Sequence, residues 1–576
     1  MALARHMFGR ALLLCFAGAA SAMSTDCPAQ TAAPITVVPP SIAPVPSATA
    51  PPPEFPTAGA LTAPAGSENL EVTPSTIIVE GGFAEFAAQT AAIVSPLEGK
   101  RQTLAQIYAA AAAIEAAYAR AGYVLVRVGV PAQDLRDGGP VRFVVIDGFV
   151  EAVGVSHLPQ RIQRALRARL GHLVGLRHVR LWTIEQALVL AADLPGITLR
   201  STLARGEQPG GTQLEIDGRQ ALMSGAIGAE NAFDPALRTY GINAQLALNS
   251  AFGRGEQIYA LAVSGYDLSR LFASDARVRV LGGGAIVPFA RGRLTLNPEA
   301  TYARTMPDPA PGAPRTIGTL RRLSLRSEFV LERRRTRKSA LSLAIEQIDE
   351  RNTLPDFGIE LAHDRYAVLR LGAAISRDRP GISSVSATLQ LSQGLGNLTA
   401  ISEDEALISG VPFTRQGSGT AFTHVNASAR GTFAVGHAID LALTASGQAS
   451  FGQAQFRAEQ FSLEGNDGLS AYVGGITAVD EGLVARAQVN ANVSQSALGA
   501  GSAIAPYVFV SGGFGRLAAP TRLERARFSA ANAGVGVKIV PGARLPLIAL
   551  EYAHGFSGYA RLDKIDRINA SISLRF

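Results

Sequence analysis

Few residues in this 576-residue chain stand at spacings that do covalent or metal chemistry. Its 8 histidines are scattered. None forms His-x-x-x-His or His-Glu-x-x-His, the spacings that put two imidazoles on one helical face for a metal. Two cysteines, Cys15 and Cys27, cannot build a zinc site. Gly512-Gly513-Phe514-Gly515 is glycine-rich, but no Lys-Ser/Thr follows to reach a nucleotide's phosphates. Glycine within a strand marks close packing or a bend instead. Glu403-Asp404-Glu405 gathers three carboxylates without the ligand spacing of a calcium loop, and reads as a solvated loop. Trp182 reads as a packing residue on a helix. No catalytic residue, no metal site and no cofactor are expected, and a secreted enzyme is the last class to consider.

The bulk numbers bound the rest. The chain is 47% hydrophobic, yet outside its N-terminus no uncharged apolar run reaches the ~18 residues of a membrane helix. The net charge of +7 is spread along the chain, so nucleic acid is not expected as a partner. Residues 1–22 read as a secretory signal peptide. Arg5, His6 and Arg10 form the basic start, residues 11–17 the apolar core, and Ala20-Ser21-Ala22 the small-x-small cleavage site. Bulky Leu14 before Cys15 argues against a lipoprotein box. Removing this leader leaves Cys27 alone and no internal disulfide, which does not argue against export. Residues 23–72 form a Pro/Ala-rich linker. Pro39-Pro40, Pro51-Pro52-Pro53, Pro56 and Pro64 exclude a regular helix or central strand there.

Two small α+β modules follow, at 73–148 and 149–218. In the first, Ile77-Ile78-Val79 is a strand. Leu104, Ile107, Ala111, Ile114 and Tyr118 recur at helical spacing, predicting a helix over 102–121 that stops at Gly122. Strands are expected over Tyr123–Val130 and Val141–Ile146. In the second, the expected order is a strand at Phe149–Val155, helices at 159–172 and 180–192, then strands at 197–204 and 212–217.

From 219 to 576 the helical signal gives way to about 16 alternating runs, many of 11 to 15 residues. Soluble strands usually hold five or six. Short connections such as Arg377–Gly381 and Pro541–Arg544 alternate with long ones at 394–419 and 451–481. Arg322, Ser324, Arg326 and Glu328 share one face of their run. Arg486, Gln488, Asn490 and Asn492 share one face of theirs, opposite Ala487, Val489, Ala491 and Val493. A wet lumen and a lipid-facing outside satisfy both faces, and closure pairs every backbone group. The last run alternates over ten residues. Ile568, Ala570, Ile572, Leu574 and Phe576 are expected to face lipid as a closing strand, with Arg567 and Arg575 at the lumen or its rim. The expected fold class is β-dominated: two tandem α+β domains followed by a transmembrane antiparallel β-barrel of about 16 strands.

The modules resemble polypeptide-transport-associated (POTRA) domains. Residues 119–124 (ARAGYV), 130–135 (VPAQDL) and 144–148 (VVIDG) are similar to landmarks of the first such domain in two-partner secretion outer-membrane transporters, the ShlB/FhaC/HecB (TpsB) family. Asp193-Leu194-Pro195-Gly196 resembles that family's DLPG turn. The resemblance implies a Gram-negative outer-membrane protein, its POTRA domains in the periplasm, that binds an unfolded exoprotein client and passes it through the barrel without ATP. On that resemblance Tyr123, Gln133, Asp134, Leu135, Asp193, Leu194, Pro195 and Gly196 are candidate client-binding residues. Outer-membrane lipid is a further implied partner. So is the barrel-assembly machinery during biogenesis, which would read the terminal Phe576.

Two family motifs depart from pattern. The long loop after the eleventh strand normally folds into the lumen carrying Val-Arg-Gly-Tyr. Here Glu459–Gly465 introduces the loop, and the tetrad position reads Leu469-Ser470-Ala471-Tyr472, with no arginine. The Phe-x-Asp-x-Gly motif of strand thirteen reads Phe509-Val510-Ser511-Gly512-Gly513, with Ser511 in place of the aspartate. The family's loop-to-wall Arg–Asp pair is therefore absent on both sides. That is electrostatically consistent, since losing one partner alone strands a charge. Ser470 and Ser511 are expected to hydrogen-bond in its place. No amphipathic plug helix is evident before the linker. Two rival readings are an outer-membrane protein assembly or insertion factor, against which two modules rather than about five and the P-x-Q-D-L landmark weigh, and a porin-like channel, against which the POTRA pair weighs.

Overall fold

The computed structural model describes residues 41–44 and 63–576, except 266–267, 310, 397, 437, 474, 476, 492, 495–502, 523, 541–545 and 558–563. The leader, most of the linker and the Pro541–Arg544 turn lie outside the described residues.

In the first module α1 (Ala87–Val94) and α2 (Leu104–Arg120) cover one sheet. Thr103 caps α2 in a reciprocal box with Gln106, satisfying two orphan backbone donors. The helix ends where Gly122 turns with φ of +94°. Ile107, Ala111, Ile114 and Tyr118 bury their face against Val141 and Phe143. Strand Thr76–Glu80 runs parallel to Pro140–Ile146, and Arg127–Gly129 lies antiparallel on its other side. The strand expected over 123–130 is thus cut to three residues. Tyr123 and Val126 enter the first module's core while Leu125 enters the second's, and serving two cores bends the chain into a turn. Helix α1 was not foreseen because Val94 is the one residue in it that is buried, which leaves little periodicity to read.

In the second module α3 (Gln160–Leu170) and α4 (Leu181–Ala192) pack on a sheet ordered Phe149–Gly154, Gly211–Gln220, Ile197–Arg205. Ile162, Leu166 and Leu170 of α3 meet Ile184, Ala187 and Leu188 of α4 in a shared core.

The barrel strands are β1 (Met223–Glu230), β2 (Gly241–Asn249), β3 (Gln257–Ser264), β4 (Val278–Phe289), β5 (Leu294–Thr305), β6 (Ile317–Arg334), β7 (Arg337–Leu354) and β8 (Ile359–Arg379). They continue with β9 (Ser383–Gly394), β10 (Thr423–Ala434), β11 (Ile439–Ala449), β12 (Glu481–Ala491, resuming at Val493–Ser494), β13 (Ala503–Arg516), β14 (Arg527–Val540), β15 (Leu547–Ser557) and β16 (Ile565–Arg575). Each pairs antiparallel with the next, and β16 returns to β1, closing the sheet at sixteen strands. Closure removes the edges that a strand this long would otherwise expose. The seam is short, with five residue pairs against eight between β1 and β2. Asn231 lengthens it: its side chain donates to Ile568 O at 2.6 Å and accepts from Ala570 N at 2.8 Å. Phe576 exchanges both backbone hydrogen bonds with Gly225, and its ring fills the place a Cβ there would take.

Faces alternate along the strands. Arg322 and Ser324 are buried inside, while Leu323 and Leu325 are exposed outside. Ile568, Ile572, Leu574 and Phe576 are likewise exposed on the outer surface. The Glu403–Glu405 stretch is not an open loop. It starts a short helix, α5 (Glu403–Ser409), because Ser402 Oγ caps Glu405 N at 3.1 Å and the three carboxylates complement the helix's positive end.

Candidate functional site

The loop between β11 and β12 enters the barrel. Its stem is a two-residue ladder, Phe461–Ser462 against Ala478–Val479. Its tip, Leu469-Ser470-Ala471-Tyr472, is fully buried. The Glu464 carboxylate accepts from Gly475 N and Thr477 N, both at 3.0 Å, and holds the tip's shape. Tyr472 packs with Leu469, Val484, Tyr507 and Phe509, and its hydroxyl lies where a side chain on Gly555 of β15 would stand.

Ser470 and Ser511 are bridged rather than bonded directly. Between them sits Asn532 of β14, a residue the sequence reading missed. With its amide nitrogen donating to Ser511 Oγ, its oxygen accepts from Ser470 N at 3.0 Å, Ser470 Oγ at 3.0 Å and Ala471 N at 3.2 Å. Ser511 Oγ then donates to Gly468 O at 2.8 Å, and Asn569 of β16 donates to Ser470 O at 3.0 Å. Arg486 of β12 also donates to Ser470 Oγ at 3.4 Å, and Asp467, just before the tip, pairs with Arg430 of β10. The local positive charge comes from the wall. Arg486 of β12 lies 3.6 Å from the Phe509 ring centroid and pairs with Glu551 of β15 at 2.7 Å. Tyr507 donates to the same carboxylate at 2.9 Å.

Another charged loop-to-wall contact lies further back along the loop. Glu459 meets Arg370 of β8 at 2.7 Å and accepts from Tyr366 at 3.0 Å. Arg370 also holds Glu346 of β7 at 2.9 Å, which in turn meets Arg326 of β6 at 2.6 Å. Here the carboxylate is on the loop and the arginine on the wall, the reverse of the family's pair.

The periplasmic residues named from sequence each have a place. Tyr123 sits between the modules. It is buried against Phe83 and Tyr118, donates to Glu85 at 2.6 Å and accepts from Arg180 of the second module at 3.0 Å. Gln133 closes the sheet edge beside Arg142, donating to its carbonyl at 2.9 Å and accepting from its N–H at 2.8 Å. Asp134 pairs with Arg136 at the surface, and Leu135 packs on the first core. Asp193 grips Arg333, at the β6–β7 turn, through two parallel bonds of 2.7 and 2.8 Å. Leu194 is buried against Gly255 of the β2–β3 turn, and Gly196, with φ of +70°, approaches Asn249 too closely for any side chain. Pro195 is half-buried beside them. Arg169 is buried at the same junction, and desolvation lowers its pKa to about 10. These contacts place the second module on the side of the short turns.

A closed barrel with a polar interior, an aliphatic exterior and two POTRA-type modules, the second of them seated on one rim, defines an outer-membrane protein with periplasmic modules. Residues 72–148 match the POTRA domain of ShlB type, and residues 210–539 match the haemolysin secretion/activation protein ShlB/FhaC/HecB family. The chain belongs to that family. It is 24% identical to the outer membrane transporter CdiB of Escherichia coli over 217 residues, 37% of this chain and 36% of that protein. The aligned part therefore spans little more than a third of the relative. The structure is similar to that of CdiB from Escherichia coli (TM-score 0.68, 18% identity, covering 89% of this chain and 92% of that one). It is also similar to CdiB from Acinetobacter baumannii (TM-score 0.59, 14% identity, 91% and 94%). A further likeness is to BamA from Haemophilus ducreyi lacking POTRA domains 1–3 (TM-score 0.50, 12% identity, 88% and 100%).

Proposed function

We propose that the protein is a translocator that takes an unfolded exoprotein from the periplasm to the cell surface without ATP. The observation carrying this reading is the loop buried inside a closed, polar-walled barrel whose periplasmic rim is gripped by the second of two modules. The second module leaves the outer edge of Ile197–Arg205 unpaired among the described residues. An extended client adds a strand there, using main-chain bonds that need no fixed sequence. In the first module the donors Ile77 N and Val128 N are already taken by Glu98 at 2.7 Å and Glu115 at 2.9 Å, so capture falls to the second. The polar lumen hydrates the moving backbone, and folding outside supplies the drive. Outer-membrane lipid meets the aliphatic exterior, and the barrel-assembly machinery inserts the chain.

Deleting the gene and comparing polypeptides released by the cells tests this. One or a few large polypeptides leave the medium and return on complementation. A released set that stays unchanged, while other outer-membrane proteins lose their folded form, would point to an assembly factor instead.

A further inference from the structure

Three arginines stand on the outer face of the barrel at its periplasmic edge. Leu341, Leu343 and Ile345 of β7 and Leu371 and Ile375 of β8 point outward and are exposed. Arg337 continues the first row, and Arg377 and Arg379 the second, because side chains two residues apart share a face. All three are exposed. The register sets Arg337 directly opposite Arg377, a like-charge pair that costs stability in a sheet. Arg379, then Arg337, are the charges that act most strongly on Arg377, both of its own sign. The carboxylates of this turn are engaged elsewhere. Glu332 pairs with Arg334 at 2.8 Å, Glu328 with Lys338 at 2.7 Å, and Asp193 with Arg333. Asp378 alternates to the other face of β8 and accepts from Ser384 Oγ at 2.5 Å.

A cluster of one sign that the fold leaves unneutralised fits an anion supplied from outside. Where the arginines stand decides which. They follow the aliphatic rows by one or two outward positions, and exposed Val385 of β9 is the direct neighbour of Arg377. Ile382, in the turn beyond Arg379, is also exposed. Apolar side chains at and beyond the level of the guanidinium groups belong at the boundary between acyl chains and headgroups. There a long arginine stem keeps apolar contact while its charge reaches the phosphate layer. A periplasmic macromolecule would have to reach past the lipid to meet this face. The second module's seat on Arg333 marks this edge as the periplasmic one, so the phosphates of the outer leaflet lie at the opposite ends of the strands. We propose that Arg337, Arg377 and Arg379 form a binding site for the phosphodiester headgroup of an anionic phospholipid in the periplasmic leaflet. Guanidinium groups suit that ligand, since each can give two parallel hydrogen bonds to phosphate oxygens. The site depends on the outer-membrane setting and not on translocation.

The test reads the lipid next to the site in the full chain, reconstituted in phosphatidylcholine vesicles. A bimane fluorophore is placed on Val385→Cys in a Cys27→Ser background. The probes are doxyl-labelled phosphatidylglycerol and doxyl-labelled phosphatidylcholine, which quench bimane on contact. A second label, on Val535→Cys of β14, reports an outward position elsewhere on the barrel. Heat-modifiable migration checks that every variant is folded. At Val385→Cys, phosphatidylglycerol should quench at a lower mole fraction than phosphatidylcholine, and at Val535→Cys the two should be equal. Arg337→Gln, Arg377→Gln and Arg379→Gln, combined stepwise, should each weaken the preference about fivefold. Lys100→Gln with Arg120→Gln, which removes charge from exposed positions of the first module, should leave it unchanged. Equal quenching by the two lipids at Val385→Cys overturns the site and leaves the arginines to an acidic periplasmic polypeptide. A preference that survives all three wall substitutions, or that the first-module pair removes as well, overturns the assignment of residues. Loss of the preference under millimolar inorganic phosphate, but not under chloride of equal ionic strength, overturns the lipid as the occupant.

Discussion

Replacing Asn532 by Leu removes the bridge that seats the loop tip while keeping the side chain's size. In the intact protein its amide oxygen takes two backbone N–H groups and one hydroxyl, and its nitrogen satisfies Ser511. A net hydrogen bond contributes about 0.5–1.5 kcal/mol, and a buried group left unpaired costs about 1–3 kcal/mol. Asn569 still holds Ser470 O, and Ser511 still reaches Gly468 O, so the loss is partial. About 2–3 kcal/mol is expected, which raises the undocked fraction of the loop roughly 30- to 150-fold. The assay is maleimide labelling of Ala471→Cys in a Cys27→Ser background. Ala471 is 2% exposed, so labelling requires undocking and its rate reports the undocked population. A labelling rate unchanged by Asn532→Leu would refute the claim that this neutral bridge replaces the ion pair.

Glu459→Gln should loosen the same loop from its other anchor by about 2–3 kcal/mol, since Arg370 loses one of its two carboxylates inside the lumen; the same labelling assay reads it. Asp193→Ala should broaden the distance between spin labels on the second module and the β6–β7 turn, at a cost of about 1 kcal/mol for one half-exposed pair, and Arg333→Ala should add nothing to it. Burial, then Arg291, holds the His172 imidazole below its ordinary 6.5. The unfolded module therefore binds a proton that the folded one refuses, and stability falls as pH drops through about 6.5. Chemical denaturation of the full chain, followed at the second module, should show that slope, and His172→Gln should flatten it.

Much of this architecture could be read directly. All sixteen alternating runs are strands, because a wall with lipid on one side and water on the other imposes period two on every residue. Arg322, Ser324, Arg486 and Gln488 face inward as their alternation required. What stayed hidden is pairing across the lumen. Asn532 looks like any inward polar residue of β14; nothing local says that a loop sixty residues upstream rests on it. Glu459–Arg370 spans 89 positions in sequence, and the hydrogen bond from Ile42 N to Glu299 spans 257. The DLPG turn was legible as a turn, whereas Asp193's grip on Arg333 depends on how the second module meets the barrel. Tyr123 stood out only as a client-binding candidate by resemblance, and its partners Glu85 and Arg180 come from two different modules.

The translocation reading stands or falls on coexpression in a host that lacks the system. The host carries this chain together with a large polypeptide whose release from the source cells depends on the gene, and the quantity measured is that polypeptide in the medium. The account predicts release with the intact chain, and retention in the periplasm when residues 74–217 are deleted although the barrel still folds and shifts on heating. Equal release with and without the modules, or retention with the intact chain, would contradict it.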